Sequence, residues 1–221
     1  MHAENVSNQI KAGDVVVFDV DDTLGFFTKS FDEYMSKRLD MNIPDRDHHP
    51  TYDLLSPFHE KLSPETTAFD TLKDFEKTGS ISDPERFHPT SVVELVKDLQ
   101  DRGIMTLALT AREWMDDGHR TTMDWLDSLG ISMPVYVLGL KDSKADWINQ
   151  NIENPFHETA TSSRMIVPGD VWVFEDNPHH LKEIYYKSPH VNMPFVVDHP
   201  HNRHLLHFDR IDPHSTHWIS E

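Results

Sequence analysis

The chain contains no cysteine. Disulfides and thiolate metal sites are therefore excluded, and a cytoplasmic setting is the expectation. It also has no long apolar run. The most notable aliphatic stretch, Val15-Val16-Val17-Phe18, falls far short of a bilayer span, so no membrane partner is expected. The start, Met1-His2-Ala3-Glu4-Asn5, lacks a basic region followed by an apolar one, so no secretory signal is read there. Positive charge is short as well, with 20 Lys and Arg against 38 Asp and Glu, a net charge of −18. Non-specific nucleic-acid affinity comes largely from cations neutralising phosphates, so a surface this acidic disfavours polymeric nucleic acid as a partner. It does not forbid a small phosphorylated substrate held by a metal and a few cationic groups. The 16 histidines form no H-E-x-x-H motif, and the pairs His48-His49 and His179-His180 read as solvated residues, with a supporting hydrogen bond from His179 or His180 to the acidic residues before them as the alternative.

What remains is an ordinary soluble composition, 37% hydrophobic and 26% charged over 221 residues, enough for one to two domains around a central sheet. No internal repeat or low-complexity tract is present. Strand and helix signals alternate, which predicts an α/β fold with a mostly parallel sheet and helices on its faces. Residues 14–20 form a short apolar, β-branched run ending in aspartates, the pattern of a buried strand. Residues 104–109, 134–138 and 171–174 repeat it, and 194–197 does so weakly. Val92, Leu95, Val96 and Leu99 share one helical face before Gly103. Met123, Leu126 and Leu129 do the same before Gly130. Asn177-Pro178 opens a helix running to about residue 187.

One segment breaks the alternation. Residues 26–87 separate the first two strands by more than a crossover needs. Phe31, Tyr34, Met35 and Leu39 predict a helix there, and Ser63-Pro64-Glu65 predicts the start of another running to about Lys77. The expected organisation is a core of 1–25 and 88–221 with a helical cap inserted at 26–87. Residues 44–57 are expected as a connecting loop and 151–169 as a surface loop.

The chemistry concentrates at strand ends, where open parallel sheets bind ligands. Asp19-Val20-Asp21-Asp22-Thr23 follows the first strand directly. Carboxylates this close repel one another and invite a hard divalent cation such as Mg²⁺. An EF-hand loop starting at Asp19 is excluded, because Leu24 and Ser30 stand where Gly and Glu are required. Thr110-Ala111-Arg112 ends the second strand with a hydroxyl and backbone N–H groups suited to phosphate oxygens. Lys141 and Lys144 follow the third, and Lys144 is favoured because Ala145 and Trp147-Ile148 suit packing on a sheet. Glu175-Asp176 ends a further strand, a second acidic pair able to complete a metal site.

In these residues and in this order, Asp19-x-Asp21-x-Thr23, Thr110, Lys144 and Glu175-Asp176, the chain resembles the haloacid dehalogenase superfamily of aspartate-nucleophile phosphohydrolases. The likeness spans residues 14 to about 187 and implies a Rossmann-like three-layer core. A receiver domain uses similar groups, but places its phosphorylated Asp after a middle strand. Gly25-Phe26-Phe27, Tyr52-Asp53-Leu54, the inserted helices and the tail from Val196 through Asn202-Arg203, Arg210-Ile211 and Trp218 look like the 5'(3')-deoxyribonucleotidase-like branch. Asp22 stands where that branch usually has Gly.

The resemblance implies a Mg²⁺-dependent phosphatase acting on a small phosphorylated metabolite, a nucleoside monophosphate by the narrower likeness. Asp19 would be the nucleophile and Asp21 the general acid and base. Thr110 and Lys144 would hold the transferring oxygens. Mg²⁺ would be held by Asp19, the Asp21 main-chain carbonyl and Asp176, with Glu175 acting through water. Phe27 and Arg112 are candidate substrate-binding residues. Packing for the first and a structural ion pair for the second are equally good readings. Two alternatives stay open: polynucleotide 3'-phosphate removal, which the charge opposes, and an inactive fold serving as a binding module. Assembly as a monomer or a homodimer is also open.

Overall fold

The computed structural model describes residues 6–47, 53–79, 81, 91–153, 165–166, 169–205 and 208–211. Tyr52, the His48-His49 pair, the 87/88 cap boundary, residues 154–164 of the expected surface loop and Trp218 lie outside them.

Six parallel strands form the main sheet. They are β1 (Val15–Phe18), β2 (Met105–Thr110), β3 (Val135–Val137), β6 (Val171–Glu175), β7 (Val191–Val197) and β8 (Arg210–Ile211), in the order β3-β2-β1-β6-β7-β8. Two short strands, β4 (Ile152–Glu153) and β5 (Met165–Ile166), pair separately, so the segment expected as a plain loop carries a small parallel ladder at its ends. The weak 194–197 signal extends to 191–197. Pro194 sits inside that strand because its register against β6 shifts between Val171 and Val173.

β1 lies in the middle of the sheet and is buried on both faces, which explains its unbroken apolar run. Its alternation decides what each side chain meets. Val15 and Val17 join Leu107, Leu109, Val171 and Val173 on one face. There they pack against α5 (Lys144–Asn151) and α6 (Pro178–Lys187) through Ile148 and Ile184. Val16 and Phe18 face the other way, toward α3 (Ser91–Asp101) and α4 (Gly118–Ser128), where Val92, Leu95, Val96 and Trp125 are buried. Gly103 and Gly130 follow those helices at φ 73°, the left-handed conformation that glycine adopts cheaply. The expected start of α6 is as observed: Pro178 is its first residue, and the Asn177 side chain accepts from the His179 N–H.

The inserted segment is helical, with α1 (Phe27–Leu39) and α2 (Ala68–Glu76). The helix expected from Ser63 begins later, at Ala68. Ser63 instead closes a turn by accepting from the Glu65 N–H (3.3 Å), and Thr67 caps α2 by accepting from the Asp70 N–H (3.1 Å). Phe27 and Phe31 of α1 stack with ring centres 6.2 Å apart, and Phe75 of α2 meets both edge-on. This cluster is continuous with the core beneath α3 and α4, so insertion and sheet share one apolar interior. Lys73 and Glu76 of α2 also reach Asp116 of the β2–α4 loop, at 2.5 and 2.6 Å. No helix among the described residues is long and apolar enough to cross a membrane.

Phe75 is fully buried at the joint between α1, α2 and the core. Phe75→Ala is expected to cost about 3–5 kcal/mol of stability, read as a lower midpoint in urea with an unchanged slope. A loss below about 1 kcal/mol would mean that the insertion is not packed as described.

Candidate active site

The carboxyl ends of β1, β2 and β6 and the start of α5 bring the distant motifs together. Ser143 caps α5 by accepting from the Asp146 N–H (3.0 Å), which sets Lys144 as its first residue, buried and pointing under the sheet ends. The Lys144 ammonium donates to Asp19 Oδ1 at 2.5 Å and to Glu175 Oε2 at 2.7 Å. Lys141, the rejected candidate, is exposed. Glu175 is held further by the Asn177 N–H, 3.0 Å from Oε1.

Asp19, Glu175 and Asp176 are all buried, and each presents a carboxylate oxygen within 4.8 Å of the others. Burial, then the neighbouring Glu175 charge, raises the Asp19 carboxyl to about 7 despite Lys144. Asp176 is raised for the same reasons, burial first and then Glu175, Asp22 and Asp19. Burial also opposes ionisation of Glu175, but Lys144 and then His180 outweigh it and bring that carboxyl down to about 2. Burial acts against the Lys144 charge too, and Asp19 and Glu175 more than offset it, so the ammonium persists. One ammonium among three buried carboxylates leaves negative charge uncompensated. Such an all-oxygen donor set fits a hard divalent cation such as Mg²⁺. Asp19, Asp176 and Glu175 would hold it.

The Asp21 carboxylate lies outside this cluster. Arg112, fully buried, grips both its oxygens, with Nε 2.9 Å from Oδ2 and a terminal nitrogen 2.5 Å from Oδ1, and donates its remaining arm to Thr122 Oγ1 at 3.0 Å. Arg112 is thus committed to orienting Asp21, the ion-pair reading, and is not part of the cavity wall. Thr110 sits at the end of β2 with its hydroxyl buried and unpartnered among the described residues. Asp22 adopts φ 58°, a left-handed conformation that glycine adopts more cheaply. Here the side chain offsets that backbone strain, because its carboxylate accepts from both the N–H and the hydroxyl of Thr28.

A cavity of about 330 Å³ opens between these strand ends and the inserted helices. Asp19, Asp21, Lys144 and His180 line it together with Asp22, Thr28 and Asp53, and Phe27, Leu54, Leu72, Trp114 and Leu140 supply apolar wall. Phe27 packs in the aromatic cluster, the packing reading, and also forms part of the wall.

Several residues near the site were not placed in it from the sequence. His180, read as solvated, is half-buried on the cavity wall with Nδ1 3.5 Å from Glu175 Oε2, whereas His179 is exposed as expected. The turn after β7 supports Asp176. Asn202, fully buried, donates to the main-chain oxygens of Asp176 (2.9 Å) and Val197 (2.8 Å). His201 Nε2 lies 3.0 Å from Asp176 Oδ2, and burial lowers its imidazole to about 4. His199 Nε2 lies 2.5 Å from the Asp22 carbonyl. Arg210 of β8 ties the turn down through the Asn202 (2.8 Å) and Leu205 (2.9 Å) carbonyls. The only sequence signal for this was His199-Pro200-His201-Asn202-Arg203 directly after a strand.

The family described as "Protein of unknown function (DUF2608)" matches residues 1–156. That span holds Asp19, Asp21, Thr110, Arg112 and Lys144 but stops before Glu175. No curated protein matches the sequence. Among solved structures, a haloacid dehalogenase-like hydrolase, SP0104 from Streptococcus pneumoniae, superposes with a TM-score of 0.57 at 17% identity, covering 89% of this chain and 92% of that one. A mutant of CbbY from Rhodobacter sphaeroides, in complex with xylulose-(1,5)bisphosphate, gives 0.51 at 14% identity, covering 90% and 92%. The fold is accordingly the Rossmann-like α/β fold of haloacid dehalogenase hydrolases.

The carboxylate cluster makes a calorimetric prediction. A cation competes with protons for Asp19 and Asp176, whose carboxyls are raised, so Mg²⁺ should stabilise the protein more as pH rises through about 7. Mg²⁺ is expected to raise Tm by several degrees near pH 8 and by little near pH 5. Asp176→Asn should abolish the rise while melting no lower than the metal-free parent, because it removes one of three crowded charges. Equal shifts at both pH values, or a shift retained in Asp176→Asn, would contradict the site.

Proposed function

We propose that this chain, which belongs to the DUF2608 family, is a Mg²⁺-dependent phosphatase that hydrolyses a small phosphate monoester through an aspartyl-phosphate. The observation that carries the reading is the Lys144 ammonium held between Asp19 and Glu175, with Asp176 adjoining, at the ends of parallel strands. A phosphate monoester dianion repels nucleophiles, and its uncatalysed hydrolysis is among the slowest of reactions. A site for it needs a carboxylate nucleophile, positive charge on the transferring oxygens and a proton donor for the leaving alcohol.

Each need has a residue. Asp19 attacks phosphorus in line, forming the acyl phosphate as the P–O bond to the alcohol breaks. Asp21, on the cavity wall, gives the departing oxygen its proton. It then takes a proton from the water that attacks phosphorus and releases inorganic phosphate and Asp19. Arg112 fixes the plane of the Asp21 carboxylate, so the proton is exchanged from one orientation. Lys144 and the unpartnered Thr110 hydroxyl hold the transferring oxygens, fixed in place before the charge develops. A bound Mg²⁺ supplies further positive charge against the phosphate. The helices over the strand ends exclude water and restrict access, which supports a small substrate over a polymer. The net charge of −18 favours the same choice. A nucleoside monophosphate is the narrower reading and rests on the sequence resemblance.

Purified protein with Mg²⁺ is expected to release inorganic phosphate from members of a monophosphate panel, and a chelator should stop it. Asp19→Asn, isosteric but unable to form the acyl phosphate, should lower kcat by about three orders of magnitude or more. Full activity in that variant would refute the nucleophile assignment.

A further inference from the structure

Beyond the phosphate end, the cavity wall has an unusual balance of groups. Phe27, Leu72 and Trp114 are buried apolar wall residues, and Leu54 and Leu140 extend the apolar surface toward solvent. The polar side chains among them already have partners, and His180, also on the wall, stands at the phosphate end with Nδ1 3.5 Å from Glu175 Oε2. Both Asp22 oxygens accept from Thr28, and both Asp21 oxygens accept from Arg112. Among the described residues, Lys144 is the sole Lys or Arg on the wall, and it is engaged at the phosphate end. Asp53 adds a carboxylate near the mouth, with its side chain 56% exposed.

These facts constrain what can sit beside the phosphate. Beyond the phosphate end, a second anionic group would find no Lys or Arg among the described residues and would face Asp53. A sugar would surrender water from each hydroxyl with few donors or acceptors to replace it, and burying unpaired polar groups is costly. An apolar ring or short chain would instead exchange water for Leu and aromatic surface, which is favourable. We propose that the cavity selects monoesters with a single phosphate on an uncharged alcohol poor in hydroxyls, such as an aryl or alkyl group. Sugar phosphates and bisphosphates are disfavoured. The inference rests on the phosphatase reading for its phosphate end and on the wall for its selectivity.

Binding can be separated from turnover. In the Asp19→Asn protein with Mg²⁺, calorimetry would compare benzyl phosphate, glucose 6-phosphate and glucose 1,6-bisphosphate, all cleavable at a primary alcohol. Benzyl phosphate is expected to bind about tenfold or more tightly than glucose 6-phosphate, with the bisphosphate weakest. Leu140 is 54% exposed, so Leu140→Arg can add a cation at the wall without opening the core. In the same background it should strengthen bisphosphate binding about tenfold and leave benzyl phosphate little changed. Sugar esters binding as tightly as benzyl phosphate, or no detectable binding of any of the three, would overturn the proposal. If the preference holds and the parent protein cleaves none of them, the selectivity stands and the phosphatase reading falls. If the parent cleaves sugar esters as readily as benzyl phosphate, the reverse follows.

Discussion

The ammonium of Lys144, buried between Asp19 and Glu175, is the interaction on which the rest of the structure depends. A lone charge at that depth would be forced toward neutrality, and three carboxylates without it would repel one another apart. Together they hold, and they do so because three elements distant in sequence end at one place. The strands β1 and β6 pair in register, Phe18 beside Phe174, so that Asp19 and Glu175 emerge side by side. The cap at Ser143 then aims α5 so that its first residue meets both. The remaining negative charge explains why a cation suits the cluster.

Around this centre, the protein invests its buried polar groups in orientation. Arg112 is fully buried and does not line this cavity, and all three of its nitrogens donate to Asp21 or Thr122. Asn202 is buried beneath the Asp176 loop and joins it to the end of β7, while Arg210 fastens the turn from the edge strand β8. Each group is satisfied several times over, the condition under which a buried polar network rigidifies a site. The tail is thereby part of the site's support.

Much of this was legible in the sequence. The parallel α/β fold followed from alternating apolar runs and helix periodicity, and the glycine stops at Gly103 and Gly130 and the Asn177-Pro178 start fell where expected. Local chemistry of that kind is written within a few residues. The choice of Lys144 over Lys141 was also recoverable, since its neighbours Ala145 and Ile148 pack on the sheet. The later start of α2 was not, because Ser63-Pro64-Glu65 and Thr67-x-x-Asp70 are both acceptable helix openings and packing of Leu72 and Phe75 selects between them. The choice for His180 between solvent and the acidic pair was undecided for a related reason. A histidine at a helix start is solvated by default, and only the position of β6 beside it brings Glu175 near.

Sequence by itself determined five strands of the main sheet, the residues at their ends and the kind of chemistry that carboxylate, hydroxyl and ammonium could perform together, because these depend on composition and on spacing along one element. Tertiary structure alone decided that Arg112 serves Asp21, that Asn202 and His201 stand behind Asp176, and that among the described residues the wall beyond the phosphate end is largely apolar and without Lys or Arg. Those facts depend on register and crossover between segments tens of residues apart, and no periodicity within a single segment records where another will pass.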